Sequence, residues 1–131
     1  MIKRFDPIKG RNAEIIEAVM ASEEVAGLPE DLRFKIHLCV EEVEENILCY
    51  SGSTWVEVTV ERTDDRIEIC FADGGVEFDP LAKEDPDITA SLENRQIGGL
   101  GIFLCKQMMD DLEYRYHAGC NIFKMSKNIN R

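Results

Sequence analysis

Glu42 and Asn46 stand four residues apart inside a segment of helical periodicity, so both side chains project from one face, one turn apart. An Asn carbonyl oxygen is a hard ligand suited to Mg²⁺, which keeps several waters and bridges substrate phosphates. A carboxylate one turn away can polarise a hydroxyl or water as a general base. Val43 and Ile47 belong to the apolar stripe of the same segment and set the pair at the edge of a core. The competing reading is a solvated acidic helix face, because Glu41, Glu42, Glu44 and Glu45 run together.

Asp73 leaves an apolar strand pattern and enters Gly74-Gly75-Val76-Glu77-Phe78-Asp79-Pro80. A carboxylate there can accept a hydrogen bond from an exocyclic amine such as adenine N6. Glycines beside it let the backbone approach a flat ring with no Cβ in the way. A plain Asp-Gly turn is the alternative, although Phe78-Asp79-Pro80 and the long loop beyond are unusual for a simple hairpin. Gly98-Gly99-Leu100-Gly101 then opens an apolar helix, where free backbone N–H groups and the helix dipole favour an anion. No Lys-Ser or Lys-Thr follows, so this is not a Walker A loop, nor does it match the dinucleotide glycine pattern. Close packing of helix on sheet would also use these glycines. Arg95, three residues earlier, offers a guanidinium fork for terminal phosphates, or an ordinary loop charge. Taken in order, a metal-binding amide beside a carboxylate, an acid for a base edge and exposed amides for phosphates predict an ATP site.

The elements that must position these groups are legible in outline. Residues 11–26 carry Ile15, Ile16, Val19, Met20 and Val25 at helical spacing, with Gly27 as the stop and Pro29 opening a second helix to about Tyr50. Its stripe is Leu32, Ile36, Cys39, Val40, Val43 and Ile47, and Ser51-Gly52-Ser53 ends it. Trp55 to Glu61 alternates Val56, Val58 and Val60 with polar residues, Asp64-Asp65 turns, and Arg66 to Ala72 points Ile67, Ile69 and Phe71 inward. Residues 79–97 lose periodicity, as a functional loop does. Leu100 to Met109 predicts a short helix, and Leu112 to His117 and Asn121 to Lys127 predict two strands around Ala118-Gly119. This order predicts an α/β (α+β) two-layer sandwich, with helices on one face of a mixed, mostly antiparallel sheet.

The chain has 131 residues, enough for one domain over 1–131 with a substantial core. Its net charge of −11 repels phosphate backbones and anionic lipid, so neither nucleic acid nor membrane is an expected partner. No apolar run approaches the roughly 20 residues of a membrane helix. The N-terminus lacks an export signal's apolar core. Five widely spaced cysteines without a C-x-x-C pair suggest free thiols in a reducing compartment. These features predict a cytoplasmic protein.

From about Leu28 to Lys127 the sequence resembles the GHKL (Bergerat-fold) ATP-binding domain of gyrase, the heat-shock chaperone, histidine kinases and mismatch-repair proteins. Within that group it is most similar to the small anti-sigma factor serine/threonine kinases. The resemblance is densest from Phe78-Asp79-Pro80 through Ile97-Gly98-Gly99-Leu100-Gly101-Ile102 to Met108-Met109-Asp110. It implies Glu42 as catalytic carboxylate, Asn46 as Mg²⁺ ligand, Asp73 on the adenine amine and Gly75 beside the ring. Residues 80–97 would form a lid over the phosphates, with amides from Gly99 and Gly101. Glu77 stands where the family often has a third glycine, and Lys124 is placed where a threonine is common on the last strand.

The resemblance further implies a kinase that uses ATP and Mg²⁺ to phosphorylate a STAS-type anti-anti-sigma protein. It also implies control of a sigma factor and assembly as a homodimer. The alternative is a non-catalytic ATP-binding module that sequesters a sigma factor or other regulator. Possession of both Glu42 and Asn46 favours the kinase, because binding alone needs no base.

Overall fold

A computed structural model describes residues 1–82 and 99–129. Arg95, Gly98 and all of the expected lid beyond Ala82 lie outside the described residues. Helix α1 spans Asn12–Ala21, α2 Glu23–Ala26, α3 Glu30–Asn46 and α4 Gly99–Met108. Strands are β1 Ile2–Phe5, β2 Val56–Arg62, β3 Arg66–Asp73, β4 Asp111–His117 and β5 Cys120–Asn128.

The helix expected over 11–26 is broken at Ser22, whose backbone turns extended at ψ 149°. The Ser22 hydroxyl donates to the Val19 carbonyl at 2.6 Å, an example of a short polar side chain competing with the helix ladder. Helix α3 follows its expected stripe closely: Leu32, Ile36, Cys39, Val40, Val43 and Ile47 are all buried. Glu30 and Asp31 occupy its first turn, where negative charge complements the dipole. The chain leaves α3 through a π-helical turn, Ile47–Ser51, closed by Gly52 at φ 72°. This wider turn carries Ile47 and Ser51 to the end of the sheet where Asp73 lies, as π-turns at functional sites often do.

The sheet order is β1-β2-β3-β5-β4, and every pairing among the described residues is antiparallel. Val56, Val58 and Val60, then Ile67, Ile69 and Phe71, then Phe123 and Met125 turn to the helices and form one buried cluster with α1, α3 and α4. The opposite face carries half-exposed residues such as Glu57, Cys70 and Lys124. The connection through α4 places β5 between β3 and β4, so that Asp73 at the end of β3 lies opposite Asn121 at the start of β5.

One buried group opposes this core. Glu44 is 1 % exposed, and neither carboxyl oxygen has a hydrogen-bond partner among the described residues. Burial, reinforced by Glu45 and Glu41, pushes its carboxyl up to about 7. A carboxyl raised on folding stabilises fully below its unfolded value, and that contribution is lost as pH rises through the folded value. Glu44→Gln is therefore expected to raise the melting temperature by several degrees at pH 8, equivalent to about 2–3 kcal/mol. At pH 5 only about a quarter of the gain should remain. Paired thermal melts at the two pH values check this, and an equal gain at both would contradict it.

Candidate nucleotide site

Where α3 ends, β3 ends and α4 begins, a pocket opens. Val43, Ile47, Ile102 and Phe123 supply apolar walls, and Asn46, Ser51, Asp73, Tyr114 and Asn121 add polar groups. The surface this pocket exposes is almost wholly apolar, which suits the faces of a flat heteroaromatic ligand. The structure thus brings Asn46 and Asp73, distant in sequence, to one cavity.

Asp73 is 3 % exposed. Its Oδ1 accepts from the Gly75 N–H at 2.9 Å and from Asn121 Nδ2 at 3.0 Å. Asn121 is a hub: Nδ2 also donates to the Val76 carbonyl at 2.7 Å, and Oδ1 accepts from the Phe78 N–H at 2.9 Å and the Tyr114 hydroxyl at 2.5 Å. The segment Asp73–Phe78 is thereby tied to β5 and β4. Its glycines are also sterically required. A Cβ on Gly75 would meet the Ser51 carbonyl oxygen, and one on Gly74 would come within 2.7 Å of Trp55 Nε1. The Val76 N–H completes the join by donating to that Ser51 carbonyl at 2.8 Å. At the rim, Tyr50 stacks on Phe78 with ring centroids 5.1 Å apart, joining the π-turn to the loop.

Glu42 lies one turn before Asn46, half-buried against α4. A Cβ on Gly101 would run into the Glu42 carboxylate, so the glycine is what lets the first turn of α4 lie against this side chain. Gly99 and Leu100 belong to the same turn, and the first-turn amides of a helix, which have no intrahelical partner, suit an anion. A turn further along, the Cys105 thiol meets the Cys39 carbonyl at 3.9 Å, holding α4 on α3. Burial first, then the charges of Glu41 and Glu45, raises the Glu42 carboxyl above the usual carboxylate range. A raised carboxyl is a stronger base once ionised. Asn46 lines the pocket and makes no side-chain hydrogen bond among the described residues, so its amide is available to a cation. Among the described residues no group of three or more His, Cys, Asp or Glu is placed to hold a metal ion.

One reading of the sequence changes. Lys124 does not sit beside the base pocket. The register pairs it with Cys70, three residues from Asp73, and its Nζ meets Glu113 at 3.2 Å on the sheet's other face. The strand residue beside Asp73 is Asn121. It was legible in one respect: it is a polar residue in phase with the inward Phe123 and Met125, an anomaly on a buried register. Tyr114 and Ser51 carried no comparable signal. Glu77 is exposed, just outside the pocket-lining Phe78.

This arrangement is that of a known class. Residues 9–127 match the histidine kinase-like ATPase domain, and the chain belongs to that family. Among its relatives is the serine/threonine-protein kinase BtrW of Bordetella bronchiseptica, 30% identical over 94 residues that cover 69% of this chain and 66% of BtrW. The serine-protein kinase RsbW of Listeria monocytogenes is 33% identical over 87 residues, 62% of this chain and 55% of RsbW. The matched region therefore spans between about half and two thirds of the length of those two relatives. RsbW of Bacillus cereus is 30% identical over an alignment covering 100% of this chain and 90% of its own length. The catalytic domain of the histidine kinase ThkA superposes with a TM-score of 0.56 at 14% identity, covering 100% of this chain and 99% of that domain. This likeness shows the same fold, and the expected GHKL architecture is borne out.

Proposed function

We propose that this chain is an ATP-dependent protein serine/threonine kinase of the anti-sigma type. It would phosphorylate a STAS-type anti-anti-sigma protein and thereby regulate a sigma factor, acting in the cytoplasm, with homodimer assembly. The observation that carries this reading is the convergence of Glu42 and Asn46 with the Asp73 pocket and the first turn of α4. Relatives named as serine-protein kinases support it. Among the described residues no helix is long and apolar enough to cross a membrane.

Asp73 would accept from the adenine amine, with the base between the apolar walls. The amides of Gly99 to Gly101 and the Arg95 guanidinium would take the phosphates. Bound Mg²⁺, liganded by Asn46, would neutralise charge on the β- and γ-phosphates. Glu42 would accept the proton of the protein hydroxyl as its oxygen bonds to the γ-phosphorus and ADP departs. Most of the acceleration in such a transfer comes from positioning and electrostatics. Incubation with γ-labelled ATP and a STAS-type protein should label a single serine or threonine on that protein. Nucleotide binding without label on any such protein would leave only the binding-module alternative.

A further inference from the structure

The hydrogen bonds of Asn121 have only one consistent orientation. The Phe78 N–H can only donate and the Val76 carbonyl can only accept, so Oδ1 must face Phe78 and Nδ2 must face Val76. The second Nδ2 proton then points at Asp73 Oδ1, and the Tyr114 hydroxyl donates into the second lone pair of Oδ1. All four bonding positions of the amide are filled. A flip would set Oδ1 against the Asp73 carboxylate and the Val76 carbonyl, an oxygen-on-oxygen contact twice over. Asp73 Oδ1 is in turn occupied by two donors, Asn121 Nδ2 and the Gly75 N–H. Among the described residues Oδ2 has no hydrogen-bond partner, in a side chain that lines the pocket.

We infer that Asn121, locked by Tyr114, is a positioning residue that holds Asp73 as an obligate hydrogen-bond acceptor and so selects 6-amino over 6-oxo purines. This rests on the adenine site proposed above. Two donors already fill Asp73 Oδ1, so the carboxylate meets the base through Oδ2 as an acceptor and pairs with a donor on the base. A 6-oxo purine presents an oxygen there and leaves both groups unpaired, the situation in which a built site discriminates most strongly.

Asn121→Asp tests this at nearly constant volume. The carboxylate in place of the amide presents no donor to Asp73 Oδ1 or to the Val76 carbonyl, so the hold that keeps Asp73 Oδ2 on the base edge is lost. The readout is the ratio of dissociation constants for ITP and ATP. The two ligands carry the same phosphates, so any change in phosphate repulsion cancels. The wild type should favour ATP by about tenfold or more. In Asn121→Asp that ratio should fall by about tenfold, with ATP weakened and ITP, which has no pairing with Asp73 to lose, little changed, and Tyr114→Phe should lower it by a smaller factor. Equal weakening of both nucleotides, with the ratio kept, would make Asn121 merely structural and overturn the inference. Should Asn121→Asp fail to fold, Asn121→Ser decides by the same ratio, since its short side chain cannot reach the four partners. A wild type indifferent to ATP and ITP would instead refute the adenine site itself.

Discussion

Glu42→Gln is expected to bind Mg-ATP as the wild type does and to transfer phosphate about 10²–10⁴-fold more slowly. The amide keeps the shape of the carboxylate packed against Gly101, so α4 should stay in place while the proton acceptor is lost. The pH dependence separates this from a structural effect. Because burial raises the Glu42 carboxyl, its basic form accumulates only as pH climbs past the ordinary carboxylate range. The wild-type rate should therefore rise through that raised value and level off, whereas the variant should lack this limb. A variant with an unchanged rate, or one retaining the same limb, would remove Glu42 from the chemistry. The opposite substitution, Glu42→Asp, is a weaker test because it moves the oxygen away from α4.

The second large effect concerns the cation. Asn46→Ala should lose the portion of nucleotide affinity that depends on Mg²⁺, at least about tenfold or 1.4 kcal/mol. Asn46 sits on the pocket wall at the end of α3. Nothing among the described residues depends on its amide for a hydrogen bond, so the fold should tolerate the change. Titration with ATP in Mg²⁺ and in EDTA gives the decisive comparison. The wild type should bind more tightly with the metal, and the variant equally with and without it. A variant that still gains affinity from Mg²⁺ would place the ligand elsewhere.

These expectations draw on parts of the chain that differ in how openly their sequence declares them. The stripe of α3 was plain because six apolar residues repeat at helical spacing and all are buried. The β2–β3 hairpin was plain because alternation holds on both sides of Asp64-Asp65, with Thr63 and Arg66 joined by a backbone hydrogen bond. Strand β1 was missed. Of its four residues only Phe5 is buried, so there is no alternation to detect, and the strand exists by pairing with β2. The sheet also proved wholly antiparallel among the described residues, because strand direction follows from the crossover through α4 rather than from any local pattern.

The site divides in the same way. Glu42, Asn46, Asp73 and Gly101 could be marked because their spacing and neighbours constrain them locally. Asn121 meets Asp73 only through strand register, 48 residues apart in sequence, which no local pattern declares, and Lys124 was singled out only by its place in the family resemblance. The reason for Gly75 was likewise hidden, since the Ser51 carbonyl it faces comes from a π-turn that periodicity reads as plain helix.

Thermal unfolding with Mg-ATP or Mg-GTP, on the wild type and on Asp73→Asn, tests the central claim most directly. ATP at about 100 times its Kd adds about 2.7 kcal/mol, a shift of several degrees for a domain of this size. A shift with ATP that is absent with GTP and lost in Asp73→Asn is the predicted result. No shift with ATP, or the same shift in Asp73→Asn, would contradict an adenine site built on this carboxylate.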